Sequence, residues 1–280
     1  LNLTNKLIKL IFFIIIFTGC TEKIDLELDE SYARLVVDGE ITSEKKSHQV
    51  KLSMTSNFLG ETHDPLVSGA NVTISSATST FNLQESQSEP GLYFTTPDIQ
   101  GIPGELYQLD IELPVEVNGQ KHYSASCMMF PAAPIDSIGL RYDDRWNVWE
   151  VQCYALDPPT IDFYMFEILK NSIMISDTLS DKMVVDDKLY NGQYTNGIGV
   201  GWLDPEKPGE ELYNGDTVTL RMSRITEEYA YFIWEVQRES GYHNPMFGGP
   251  PANVTGNISD DAIGFFAAYT VEYGSTVYEE

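Results

Sequence analysis

Positive charge is what this sequence has least of: 17 lysines and arginines stand against 42 aspartates and glutamates, a net charge of −25 over 280 residues. A body this acidic repels phosphate backbones and anionic headgroups, which excludes nucleic acid as a partner. Long apolar runs are scarce as well. The run Leu10 to Phe17 is about eight residues long, where a membrane-spanning helix takes roughly 17 to 25. Histidine is rare, with only His48, His63, His122 and His243, and there is no HExxH, CxxC, GxSxG or P-loop spacing. These absences set the first expectation: no enzyme, no cofactor, no metal ligand set, and no catalytic residue to name. No repeat of 20 to 50 residues is visible either, which excludes a solenoid or a propeller.

What is present begins with an export signal. Lys6 and Lys9 flank the apolar run, and the small pair Thr18-Gly19 precedes Cys20. A cysteine directly after the small residue resembles a lipobox, in which residues 1–19 are a cleaved signal peptide and the Cys20 thiol carries lipid. Several acyl chains, at about 0.8 kcal/mol per buried methylene, make a lasting anchor where one chain is marginal. Because Lys6 and Lys9 are the only charges ahead of Cys20, the part that follows carries −27. Residues 20–33 read as an acidic tether, and Glu22, Asp25 and Glu27 resemble the signal that displays Bacteroidota lipoproteins on the outer face of the outer membrane.

From residue 34 onward the pattern has period two, as half-buried strands require. Val50, Leu52 and Met54 alternate with polar neighbours, as do Tyr107, Leu109, Ile111 and Leu113, and later Tyr123, Ala125 and Cys127. Asn118-Gly119 between the last two runs is a type I′ hairpin signal, since both residues must take positive φ. Pro131 and Pro134 interrupt strand pairing and place a boundary there. Alternation then restarts with Ile138, Leu140 and Tyr142, and with Trp149, Val151, Cys153 and Ala155. Asp157-Pro158-Pro159 makes a turn, Phe163 to Leu169 is a continuous apolar run, and Val218, Leu220 and Met222 follow the Asn214-Gly215-Asp216 turn. The fold expected is mainly β: a sandwich over 34–131 and a second, Ig-like or fibronectin-like sandwich over 132–280. One amphipathic helix falls at about 227–239, capped by Thr226 and stopped by Gly241, and a closing strand at about 262–271. Its apolar positions, Ile225, Tyr229, Phe232, Ile233 and Val236, with Tyr231 and Trp234 on a second side, predict a helix buried between layers.

Chemistry is sparse among these elements. The pairs Asp143-Asp144, Asp186-Asp187 and Asp260-Asp261 offer the oxygen ligands Ca2+ takes, but without EF-hand spacing they read as solvated loops. Gly197, Gly199 and Gly201 lack the spacing and helix of a dinucleotide loop. Cys127 and Cys153 could pair in an oxidising compartment, although each also sits on an apolar strand face, where cysteine serves as a small hydrophobe. Trp146, Trp149 and Trp202 are candidates for stacking on sugars, with core positions the plainer expectation. The Gly/Pro/Asn-rich stretch from Gly241 to Asp261 is long enough to be a contact loop, with Asn244, Pro245, Met246 and Phe247 as the partner-binding candidates.

Four segments, taken in order, carry a resemblance. Cys20 with Ile24-Asp25-Leu26, the stretch from Leu35 to Thr42, Tyr229 to Phe232, and Pro250 to Ser259 with Ala262 to Phe266 resemble the domain-of-unknown-function 4249 lipoproteins of Bacteroidota. The resemblance implies a position beside TonB-dependent outer-membrane receptors and no established catalytic residues. The function expected is that of a non-enzymatic accessory lipoprotein, lipid-anchored to the outer membrane and facing the cell surface. It would partner a TonB-dependent receptor and capture a small nutrient for it. An adhesive or envelope-structural module is the alternative, and a surface hydrolase with a dispersed site stands third.

Overall fold

The computed structural model describes residues 33–55, 65–176, 178–241 and 254–280. Their strands are β1 (Leu35–Thr42), β2 (Gln49–Met54), β3 (Asn71–Ser75), β4 (Thr80–Asn82), β5 (Gln84–Glu85), β6 (Leu92–Phe94), β7 (Leu106–Val117) and β8 (Gln120–Met128). There follow β9 (Ser137–Asp143), β10 (Val148–Tyr154), β11 (Phe163–Lys170), β12 (Ile173–Met174), β13 (Met183–Asp186), β14 (Ile198–Leu203) and β15 (Thr217–Ile225). Helix α1 (Glu227–Ser240) and the long β16 (Ile263–Val277) end the chain.

One sheet of nine strands runs in the order β12, β11, β15, β16, β1, β2, β6, β5, with β13 also paired to β11. A four-stranded sheet, β4-β3-β7-β8, and a three-stranded sheet, β14-β10-β9, accompany it. The fold is therefore mainly β and sandwich-like, as expected. The first core joins Val37, Leu52, Ile74, Leu109 and Ile111 with Phe266 and Ala268. The second joins Val151, Cys153, Phe166, Ile168, Leu220 and Met222.

These cores divide near residue 131, where the prolines place a boundary, but the sheet does not. β16 pairs in parallel with β1, from Val36 opposite Ile263 to Thr42 opposite Tyr269, and sends Phe266 and Ala268 into the first core. The expected cut between 131 and 132 is thus crossed by one continuous sheet. Parallel pairing between strands at opposite ends of a chain leaves no local mark, so alternation alone suggests two separate sandwiches.

Strand β11 is buried at six successive residues, Phe163 to Ile168, and β16 at eight, Gly264 to Val271. Burial on both faces means cover on both faces. The second cover is α1: Ala230 and Ile233 pack with Phe163, Met165, Phe265, Ala267 and Tyr269 in a third core. Thr226 caps the helix by accepting from the Tyr229 N–H at 3.2 Å, and Gly241 follows its last residue, so the expected limits hold. Ile225, expected on the helix, instead ends β15. Tyr231 is half exposed, while the Trp234 indole donates to the Val184 carbonyl at 3.1 Å, so the second stripe is only partly covered. The Asn118-Gly119 hairpin is present, with φ of 52° and 81°.

On the helix-covered side lies a buried ionic network. Arg221 bonds to Glu167 and, at 2.6 Å, to Glu44, while Lys182 reaches Glu167 at 3.0 Å. Burial opposes the charge on Glu44, yet Arg221 and the Tyr273 hydroxyl outweigh it and hold the carboxyl at about 2. A carboxyl lowered on folding stabilises above its unfolded value near 4.5 and loses that contribution as pH falls through the folded one. Wild type is therefore expected to exceed Glu44→Gln by about 1–2 kcal/mol at pH 7, after allowance for solvent screening, with the gap closing toward pH 2. Urea denaturation at pH 7, 4 and 2.5 measures it; a gap independent of pH would refute the assignment.

Candidate functional site

Among the described residues, a cavity that several polar groups line lies in the second half. Its volume is about 270 Å³, with an apolar floor of Cys153, Phe166, Met183, Val200 and Met222 and a polar rim that includes Asp157, Tyr164, Asp187 and Thr195. Leu189 and Tyr190 stand at the mouth, Leu189 being 82% exposed.

Local sequence builds the rim. Asp157 opens the Asp157-Pro158-Pro159 turn between β10 and β11, and Asp162 closes that loop one residue before β11. Asp187 follows the end of β13. Backbone bonds sew the segments together: the Asp187 N–H donates to the Asp162 carbonyl at 3.1 Å, Asp157 N–H to Gln193 at 3.0 Å, and Gly192 N–H to Pro158 at 3.1 Å.

The three carboxylates converge, each offering an oxygen within 4.8 Å of the others, and all three residues are buried. Asp157 accepts from the Tyr164 hydroxyl at 3.0 Å and from the Gly192 N–H at 3.2 Å. Asp162 accepts from Arg224 and, at 3.0 Å, from Thr160. Asp187 is 4% exposed, and neither carboxylate oxygen has a hydrogen-bond partner among the described residues. Arg224 also donates to the Ile225 carbonyl at 3.1 Å and lies 4.9 Å from the centre of the Phe130 ring.

Burial sets the electrostatics. Together with the charge of Asp187, and only partly offset by its bonds to Tyr164 and Gly192, it pushes Asp157 up to about 6. Burial also raises Asp162, with Arg224 working against it. The Tyr164 phenol is raised by burial and by Asp157 beside it, and stays a donor. Cys153 is pushed up to about 12 by burial, so its sulfur is a thiol and not a metal-ready thiolate.

The residues singled out in the sequence fall unevenly. Both residues of the Asp186-Asp187 pair line the cavity; Asp187 joins the carboxylate cluster, while Asp186, half-buried, bonds Lys188 at 2.6 Å. Asp143 is held by Arg145 at 2.8 Å, and Asp260 and Asp261 occupy a turn with φ of 56° and 58°. Cys127 and Cys153 are not bonded to each other; both are free and buried, in different cores, and the Ala268 N–H donates to the Cys127 sulfur at 3.1 Å. Alternation placed both on apolar faces correctly but could not tell which core each face joins. Trp149 is half-buried between Tyr142 and Tyr278, whereas Trp146 and Trp202 are 75% and 52% exposed, against the expectation of core positions. His48 is buried, its Nδ1 accepting from the Thr42 N–H at 3.3 Å, and His122 is exposed on β8. Cys20, Asn244, Pro245, Met246, Phe247, His63 and His243 lie outside the described residues.

Asp157 and Asp162 were not marked as site residues by the sequence. The one local signal was a turn, and the two meet Asp187 only because β13 pairs antiparallel with β11, Phe163 opposite Asp186.

Two comparisons give matches. The model of a family described as a domain of unknown function, DUF4249, matches residues 21–274. A solved structure from Bacteroides uniformis, whose own description assigns it provisionally to carbohydrate binding, aligns at 10% identity over 68% of this chain and 88% of its own, with a TM-score of 0.20. That score is too low to carry an argument. None of the curated proteins matches.

Proposed function

The chain belongs to the DUF4249 family, and from that premise we propose that it is a non-enzymatic lipoprotein, anchored by Cys20 to the outer membrane, that captures a small ligand for a TonB-dependent nutrient receptor. The observation that supports capture is the cavity of about 270 Å³, with an apolar floor and a few convergent polar groups at its rim. That combination is the usual form of a small-molecule site, here just below the usual size range of about 300–1,000 Å³. No helix among the described residues is long and apolar enough to cross a membrane, so a lipid on Cys20 would be the attachment this reading requires.

A hydrolase has one observation in its favour, the convergence of three carboxylates of which two, Asp157 and Asp187, line the cavity. Paired catalytic carboxylates work across a bond, with substrate or water between them. Here Asp157 and Asp162 already have their oxygens bonded to Tyr164, Gly192, Thr160 and Arg224, which leaves Asp187 alone for proton transfer. Capture is therefore the stronger reading.

Affinity purification at native expression from detergent-solubilised outer membranes tests it. A TonB-dependent receptor is expected among the co-purifying proteins by mass spectrometry, in amounts comparable to the bait. Recovery of the lipoprotein with no such receptor would overturn the partnership.

A further inference from the structure

We propose that Asp157, Asp162 and Asp187 form a binding site for one hard divalent cation, with Ca2+ the ion that fits it. This goes beyond ligand capture and does not depend on it.

The geometry is the first argument. Oxygens bound to Ca2+ at 2.3–2.6 Å lie at most about 5 Å apart across the ion. One oxygen from each aspartate falls within 4.8 Å of the other two, which is the spread such a shell allows.

The second argument is independent of the cluster's existence. Asp187 is 96% buried, given its 4% exposure, yet neither of its oxygens meets a donor among the described residues. The other side chains of the group have partners: Arg224 bonds Asp162 and the Ile225 carbonyl, with only its Nε unpartnered among the described residues, Tyr164 and the Gly192 N–H bond Asp157, and Lys188 bonds Asp186. Three carboxylates thus face one guanidinium. An ionised carboxylate buried without a partner carries a penalty of several kcal/mol, and only a proton or a cation removes it. An Asp187 oxygen lies within 4.8 Å of an oxygen of each of the other two, so a cation placed among them would partner Asp187 and share the already bonded oxygens of Asp157 and Asp162.

Donor chemistry selects the ion. The ligand atoms are all carboxylate oxygens, the one cysteine near them is a thiol, and neither described histidine lines the cavity, so a hard ion fits and zinc does not. Water in the adjoining cavity can complete a shell of six to eight oxygens.

The experiment uses the purified chain, stripped with EDTA and returned to chelator-free buffer. Calorimetric titration with Ca2+ is expected to give one site per chain and thermal melting to give a higher Tm with the ion. Asp187→Asn is expected to weaken binding at least tenfold, while Asp144→Asn, which removes an exposed acid elsewhere, leaves it unchanged. Asp157→Asn serves in its place if Asp187→Asn does not fold. In metal-free buffer Asp187→Asn is expected to melt no lower than wild type, because it relieves the repulsion that the cation would relieve. No saturable Ca2+ binding by wild type, or equal binding by Asp187→Asn, overturns the site and leaves a proton shared among the carboxyls as the explanation of the cluster.

Discussion

Replacing Arg221 with methionine is expected to destabilise the fold by about 3–5 kcal/mol, although the new side chain is apolar, unbranched and flexible. Arg221 is 6% exposed and Glu167 4%, and the two stand directly opposite each other on β15 and β11. On its other side Arg221 faces Tyr273 of β16, whose hydroxyl lies 3.3 Å from the guanidinium Nε. Glu44, just beyond the end of β1, completes the set at 2.6 Å. The guanidinium therefore ties three adjacent strands of the central sheet to the chain segment leaving the fourth. Methionine would leave Glu167 buried with only Lys182, and Glu44 with Tyr273, Lys46 and the Thr42 hydroxyl.

The cost comes from stranded charge and not from lost attraction, and this distinction can be measured. A buried ion pair replaced as a whole by neutral groups is often close to neutral for stability, whereas removal of one partner is not. Combining Arg221→Met with Glu167→Gln and Glu44→Gln is therefore expected to recover at least half of the loss. Chemical denaturation at pH 7 reads both quantities. A single-mutant loss below about 1 kcal/mol, or a triple mutant worse than the single, would show that the network is not what joins these strands.

Much of the scaffold could be read locally because its causes are local. The Asn118-Gly119 turn, the alternation of β7 and β8, and the Thr226 cap each follow from a few adjacent residues. The continuous apolar runs at Phe163 to Leu169 and Ala262 to Val271 also carried information, since they match strands covered on both faces. What was not legible depends on pairing between distant segments. The β1-β16 join, the separate cores of Cys127 and Cys153, and the meeting of Asp157 and Asp162 with Asp187 are all of this kind. A lone aspartate before an apolar run, such as Asp162, looks the same in sequence whether it ends in solvent or beside Arg224. The exposure of Trp146 and Trp202 was hidden for a related reason, because an aromatic residue in or beside a strand does not reveal which face of the sheet is covered.

The β1-β16 join supplies the other large effect. Gly264 lies at the start of β16 with φ of +104°, opposite Val37, and a Cβ built there would fall 1.9 Å from the Val37 carbonyl oxygen. Two costs follow for Gly264→Ala. The backbone conformation alone disfavours an L-residue by about 1–2 kcal/mol. The collision is with main chain, which cannot swing aside as a side chain can, so β1 and β16 must separate where their parallel pairing begins. Phe265 and Phe266, the next two residues, face opposite cores, and each is an aromatic whose burial contributes roughly 1.5–3 kcal/mol. A total loss of about 3–5 kcal/mol is expected, at the upper end for a single substitution. Gly215→Ala isolates the first cost, because Gly215 has a comparable φ of +93° with nothing within 4 Å of its added Cβ. That variant is expected to lose only the conformational part, about 1–2 kcal/mol. Urea denaturation of the two proteins compares them directly. Equal losses would mean that the backbone at Gly264 gives way without disturbing the sheet, and that its close approach to Val37 does not hold the first and last strands together.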